Sequence, residues 1–131
     1  MNKEVKLNDY SFLVSETDEK GIITFANDDF CEIAGYDLNE LLGQPHNIVR
    51  HPDMPKAAFK DLWDTIKQGK TWTGYVKNST KNGDYYWVYA TVYPIELLNG
   101  KQGYMSCRRK PSQEEIDEHE ELYKKLIAEE R

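Results

Sequence analysis

The stretch from Tyr85 to Ile95 has the most regular patterning in the chain. Tyr86, Val88, Ala90 and Val92 alternate with Tyr85, Trp87, Tyr89, Thr91 and Tyr93. Period-two alternation predicts a strand with two usable faces, one aliphatic and one aromatic. Trp72–Asn78 and Gln102–Arg109 also read as strands, joined to it by Lys81-Asn82-Gly83-Asp84 and Asn99-Gly100. Asn-Gly favours tight hairpins because both positions tolerate positive φ. Upstream, the short apolar run Phe12–Ser15, the polar turn Glu16–Gly21 and the β-branched run Ile22–Ala26 predict two more strands.

Between these groups the period changes to that of a helix. Phe30, Ile33 and Ala34 fall at i, i+3 and i+4, with Asn27 as N-cap and Gly35 as terminator. Asp37 with Glu40 has capping-box spacing before Leu41 and Leu42. Pro55 suits the first position of a longer helix carrying Phe59, Leu62, Trp63 and Ile66, closed by Gly69. Ser112 with Glu115 opens a last helix with a stripe of Ile116, Leu122, Tyr123, Leu126 and Ile127. The predicted fold is α+β: a five-stranded antiparallel sheet, helices over one face, a cavity between them and a C-terminal helix. Residues 1–110 form the domain, with its core at about 11–110, and 111–131 form an amphipathic acidic helix.

A chain of 131 residues suits one domain. Its net charge is −6, and residues 112–131, with eight Asp/Glu and three Lys/Arg, supply −5 of it. That balance argues against nucleic acid. Cys31 and Cys107 are far apart and outside any CxxC pattern, which predicts free thiols in a reducing cytoplasm. No apolar run reaches the length of a membrane span, so any membrane role runs through a partner. No nucleophile elbow, phosphate loop or spaced carboxylate pair suggests an enzyme.

The candidate chemistry concentrates in the loop Gln44-Pro45-His46-Asn47-Ile48-Val49-Arg50-His51-Pro52-Asp53-Met54-Pro55. Arg can fork onto phosphate oxygens and His can donate to them. Equally, Arg50 can pair with Asp53 in a network that only folds the loop. His46, His51 and Asp53 match no standard metal spacing. Trp63 and Trp72 can stack on a planar ring. Trp63 also belongs to its helix's apolar stripe, whereas Trp72 stands near Gly74, which admits a close neighbour, and is the better contact. Among the asparagines, Asn27 reads as a cap and Asn82 as a turn, and Asn78 is least explained by local structure. Of Tyr86 and Trp87, one must face the cavity.

Together with the element order, Asp18-(x)2-Gly21-Ile22-Ile23, Ala26-Asn27-(x)2-Phe30, Gly35-Tyr36, Glu40-Leu41-Leu42-Gly43 and Lys81-Asn82-Gly83 resemble a PAS domain over about residues 11–110. The Pro-rich loop through Phe59, Trp72-(x)-Gly74-(x)-Val76-Lys77-Asn78 and Lys81-Asn82-Gly83-Asp84-(x)-Tyr86-Trp87-Val88 are very similar to the sensor domain of bacterial aerotaxis receptors.

The resemblance implies non-covalently bound FAD and a redox signal for energy taxis, with Asn27, His46, Arg50, His51, Asp53, Trp63, Trp72, Asn78 and Tyr86 as cofactor-binding residues. It implies a signalling domain or separate membrane chemoreceptor as partner, a possible homodimer, and a cytoplasmic location, at the membrane only through that partner. Cys31 lies in the first short helix, away from where light-sensing flavin domains carry their photoreactive cysteine. Two alternatives are a haem or small-ligand sensor with His51 as axial ligand, and a ligand-free dimerisation module using the acidic helix.

Overall fold

The computed structural model describes residues 2–130. Its strands are β1 (Leu13–Asp18), β2 (Ile23–Ala26), β3 (Trp72–Ser79), β4 (Tyr85–Glu96) and β5 (Gln102–Arg109). Its helices are α1 (Asp28–Ala34), α2 (Leu38–Leu41), α3 (Lys56–Lys67) and α4 (Gln113–Glu129), with a 3-10 turn at His46–Val49. The strands form one sheet in the order β2-β1-β5-β4-β3, with every pairing antiparallel. This is the α+β arrangement expected.

The sequence accounts for the local structure. β4 pairs with β3 from Trp72↔Val92 to Ser79↔Tyr85, and with β5 from Tyr89↔Arg109 to Glu96↔Gln102. Its aliphatic face, together with Tyr86, is buried under α1–α3 with Phe30, Leu41, Leu62 and Ile66. Its aromatic face turns the other way, where α4 covers Trp87. Capping boxes close at Asp37 and Ser112. Among the described residues no helix is long and apolar enough to cross a membrane.

Two boundaries differ from the sequence reading. β1 continues through Glu16, Thr17 and Asp18, which read as a turn. Ser15 and Thr17 are both buried, Thr17 against a cavity and Ser15 against His46, so polarity there marks what the strand faces rather than its end. Pro55 is the N-cap of α3, one residue before the helix begins.

Gly103 is fixed by close approach. A Cβ there would lie 2.4 Å from the Thr17 carbonyl oxygen and 2.7 Å from Leu97 Cδ2. Backbone cannot swing aside as a side-chain tip can. Gly103→Ala is therefore expected to destabilise the protein by about 1–3 kcal/mol, the usual range for overpacking. Urea unfolding measures this, and an unchanged midpoint would show that the β1–β5 seam opens freely.

Candidate functional site

A cleft between the sheet and α3 holds about 890 Å³, part of it open to solvent. Its floor includes Thr17, Val76, Asn78, Tyr104, Ser106 and Arg108 from the sheet. Phe59, Leu62, Trp63 and Ile66 of α3 form one wall. Pro45, His46, Asn47 and Arg50 close it from the Pro-rich loop, and Lys20 and Gly21 from the β1–β2 turn. The lining contains Lys20, Arg50 and Arg108 and no Asp or Glu. A cationic cavity in a chain of net charge −6 is a local arrangement that composition conceals.

Arg108 dominates the floor and is 6% exposed. Its Nε donates to Ser106 Oγ at 2.7 Å. Its Nη1 donates to the Asn78 side-chain oxygen at 2.9 Å, while the Asn78 nitrogen donates to the Val49 carbonyl at 3.1 Å. No carboxylate pairs with it among the described residues, and burial holds its pKa below the ordinary arginine value. A guanidinium has five N–H donors. The unused ones are available to a ligand, and an isolated buried charge favours an anion.

His46 is half-buried near it. Its Nε2 lies 3.0 Å from Ser15 Oγ, and its ring stands edge-on to Phe30 at 5.7 Å. Burial, reinforced by the charges of Arg108 and Arg50, pushes its pKa down to about 3. The imidazole is therefore neutral at pH 7, a polar group that adds no charge. Arg50 does not pair with Asp53. Its guanidinium lies 3.7 Å above the centre of the Phe59 ring. Trp63 stands edge-on to Tyr104 at 5.6 Å, and a Cβ at Gly21 would come within 3.0 Å of it.

Four of the nine residues singled out from the sequence thus line the cleft: His46, Arg50, Trp63 and Asn78. The other five lie elsewhere. Asn27 Oδ1 accepts from Val14 N and Phe30 N, and its Nδ2 donates to the Phe12 carbonyl, so its amide is committed to backbone. His51 stands edge-on to Tyr85, and its Nδ1 accepts from Asp53 N at 3.0 Å. Asp53 accepts from Lys77 Nζ at 2.9 Å. Trp72 donates to Asp61 Oδ2 at 2.8 Å, and its own ring is the close neighbour that Gly74 admits. Tyr86 is fully buried behind the cleft floor, its hydroxyl beside the Asn78 amide and Arg108. Burial raises its pKa to about 12 against the lowering effect of Arg108.

A family model described as PAS fold matches residues 23–108. The chain belongs to the PAS fold family. It is 54% identical over 122 residues to the aerotaxis receptor of Escherichia coli strain K12, covering 93% of this chain and 24% of that protein. It is 30% identical over 100 residues to the nitrogen fixation regulatory protein of Klebsiella pneumoniae, covering 76% and 20%. The chain therefore spans a quarter or less of these relatives. A PAS domain from Colwellia psychrerythraea superposes with TM-score 0.67 at 25% identity, over 80% of this chain and 91% of that one. A light-oxygen-voltage domain does so with TM-score 0.70 at 20% identity, over 91% and 88%, which speaks to the fold. This PAS domain is closely related to the sensor domains of bacterial aerotaxis receptors.

Sequence reasoning missed Arg108, Lys20 and Tyr104 in this PAS cleft, and Ser15, which holds His46. The signal for Arg108 was present. Tyr104, Ser106 and Arg108 alternate along β5, so one strand face carries an aromatic ring, a hydroxyl and a cation. A charged residue on the face of a strand that otherwise points inward marks a ligand or a buried pair. Only the tertiary fold shows that, among the described residues, no carboxylate comes to meet it.

Proposed function

We propose that this PAS domain is a non-catalytic redox sensor that binds FAD non-covalently and relays the flavin's redox state to a chemotaxis-type signalling partner. It would act in the cytoplasm, at the membrane only through that partner. One observation carries the reading: an aromatic-walled cleft lined by Lys20, Arg50 and Arg108 contains no acidic residue. Such a site suits a planar aromatic ligand with anionic groups. The 54% identity to a protein described as an aerotaxis receptor supports a flavin and the signalling context.

The residues divide by position. Arg108 and Asn78, in the floor, would hold the polar edge of the ring, and Trp63 and Tyr104 its faces or edge. Arg50 and Lys20, on the loop and the β1–β2 turn, would meet phosphate oxygens, which favours FAD or another phosphorylated flavin over the bare ring. Neutral His46, fixed by Ser15, offers a ring nitrogen without adding repulsion between cations. Bound flavin supplies a redox couple whose two forms differ in charge and protonation. Those forms can shift the protein only as far as they interact differently with these side chains. The haem alternative requires His51 to face the cleft, whereas its ring lies against Tyr85.

Purified protein is expected to show a two-banded flavin spectrum that bleaches with dithionite, and heat is expected to release FAD. Release of FMN instead would revise the cofactor. A colourless protein that also refuses added FAD would remove the reading.

A further inference from the structure

Arg108 spends two N–H groups on the protein, one on Ser106 Oγ and one on the Asn78 oxygen. A guanidinium carries five, so three remain, on a side chain that lines the cleft. Ser106 accepts from Arg108 Nε, and its own O–H is a further donor at the same place. Both residues are 6% exposed. Burial lowers the pKa of Arg108 and of Arg50, and among the described residues no carboxylate offsets it.

The acids of the surrounding elements are engaged elsewhere. Asp18 Oδ1 accepts from Lys20 N at 2.9 Å and from Ile22 N at 3.0 Å, which closes the β1–β2 turn. On α3, Asp61 accepts from Trp72 Nε1 at 2.8 Å and Asp64 from Lys60 Nζ at 2.6 Å. Glu19 is exposed in the turn and does not line the cleft. The acidic helix α4 packs over Trp87 on the opposite face of the sheet. Water entering the cleft can satisfy the remaining N–H groups, but it cannot neutralise the charge. A desolvated cation without a counter-charge draws an anion.

We propose that the cleft has a second occupant: when flavin is not bound, a small inorganic anion sits at Arg108 and Ser106, and flavin binds by displacing it. The competition rests on the flavin reading, whereas the anion site does not. Chloride and an oxyanion such as phosphate share the required chemistry, since a guanidinium fork serves either. Loading with flavin is then an exchange. It responds to the kind of salt present and not only to the screening of Arg50 and Lys20 at the rim.

The test uses the full chain without flavin, titrated separately with chloride and with inorganic phosphate. The NMR line width of each anion reads its binding directly. One line is expected to broaden in the presence of the protein and to sharpen again on saturation with FAD, and which line does so names the anion. Arg108→Met should leave both lines narrow. If that variant does not fold, Arg108→Gln, which keeps a polar end for Ser106 and Asn78, should act the same way. Raising the bound anion to about ten times its own dissociation constant should weaken FAD binding about tenfold, with the other anion holding ionic strength constant. Narrow lines for both anions would overturn the proposal. So would broadening that survives loss of Arg108, which marks an adventitious ion only, or broadening that bound FAD does not reverse. If the chain binds no FAD, the flavin reading fails by itself, and the line widths with and without Arg108 still decide the anion site.

Discussion

Arg108→Met is expected to leave the stability of the ligand-free protein nearly unchanged and to make it almost unable to hold flavin. Both outcomes share one cause. The guanidinium is buried with hydrogen bonds to Ser106 and Asn78 and no counter-ion among the described residues. Burying an uncompensated ion costs several kcal/mol. The two hydrogen bonds, both from a charged donor, return about 1.5–3 kcal/mol each. The opposing terms nearly cancel, so methionine should change ligand-free stability by no more than about 1 kcal/mol. Flavin affinity should fall about 100-fold, which is roughly 3 kcal/mol, because a desolvated charge-assisted contact is lost. Thermal melts without ligand and FAD titration read the two effects separately. A less stable variant that binds FAD normally would make Arg108 a structural brace.

His46 is expected to make the fold acid-sensitive well before its carboxylates protonate. Its pKa is about 3 in the folded protein against 6.5 in a free chain. Below pH 6.5 the unfolded chain takes up a proton that the folded one refuses, so stability is complete above that pH and falls as pH decreases. The slope is about 1.4 kcal/mol per pH unit down to the folded pKa, and the whole window is worth about 5 kcal/mol. Asp53 and Glu40, both held below their ordinary values, lose their contributions only lower, through the carboxylate range. The interval from pH 6.5 to about 4.5 therefore isolates histidine behaviour. His51 adds in the same sense, because burial and then Lys77 lower its pKa. The diagnostic is thus the difference between proteins. His46→Gln, compared by urea unfolding at pH 7.5 and 5, should lose much of the pH dependence. Equal slopes in the two proteins would mean that water reaches the ring.

Local chemistry was readable because it is written locally. The Asn27 and Ser112 caps, the Asn-Gly turns and the alternation of β4 need only their neighbours to act, and each stands where its pattern put it. The order of strands was another matter. Nothing near Leu13 announces that β1 will lie between β2 and β5. The loop residues show the same limit. His46, Arg50, His51 and Asp53 look alike in sequence, yet the β3 edge divides them. The chain turns His46 and Arg50 toward the cleft, and His51 and Asp53 toward Tyr85 and Lys77. Trp63 and Trp72 were ranked by the glycine beside Trp72, but that space is filled by the ring of Trp72 itself. Arg108 went unnoticed because its importance lies in what fails to approach it.

The pairing of Leu13 with Arg108 bears on the order of folding events. β3, β4 and β5 follow one another through tight turns and can zip as a meander from nearby segments. The β1–β5 seam joins segments from far apart in the chain, and closing so long a loop is slow. Arg108 gains its β1 neighbours, and the His46 that Ser15 holds, only when that seam shuts. A ligand of the cleft thus arrives after the rate-limiting step, at a finished cavity. Its stabilisation falls on the unfolding rate, so the loaded protein persists longer without forming any faster.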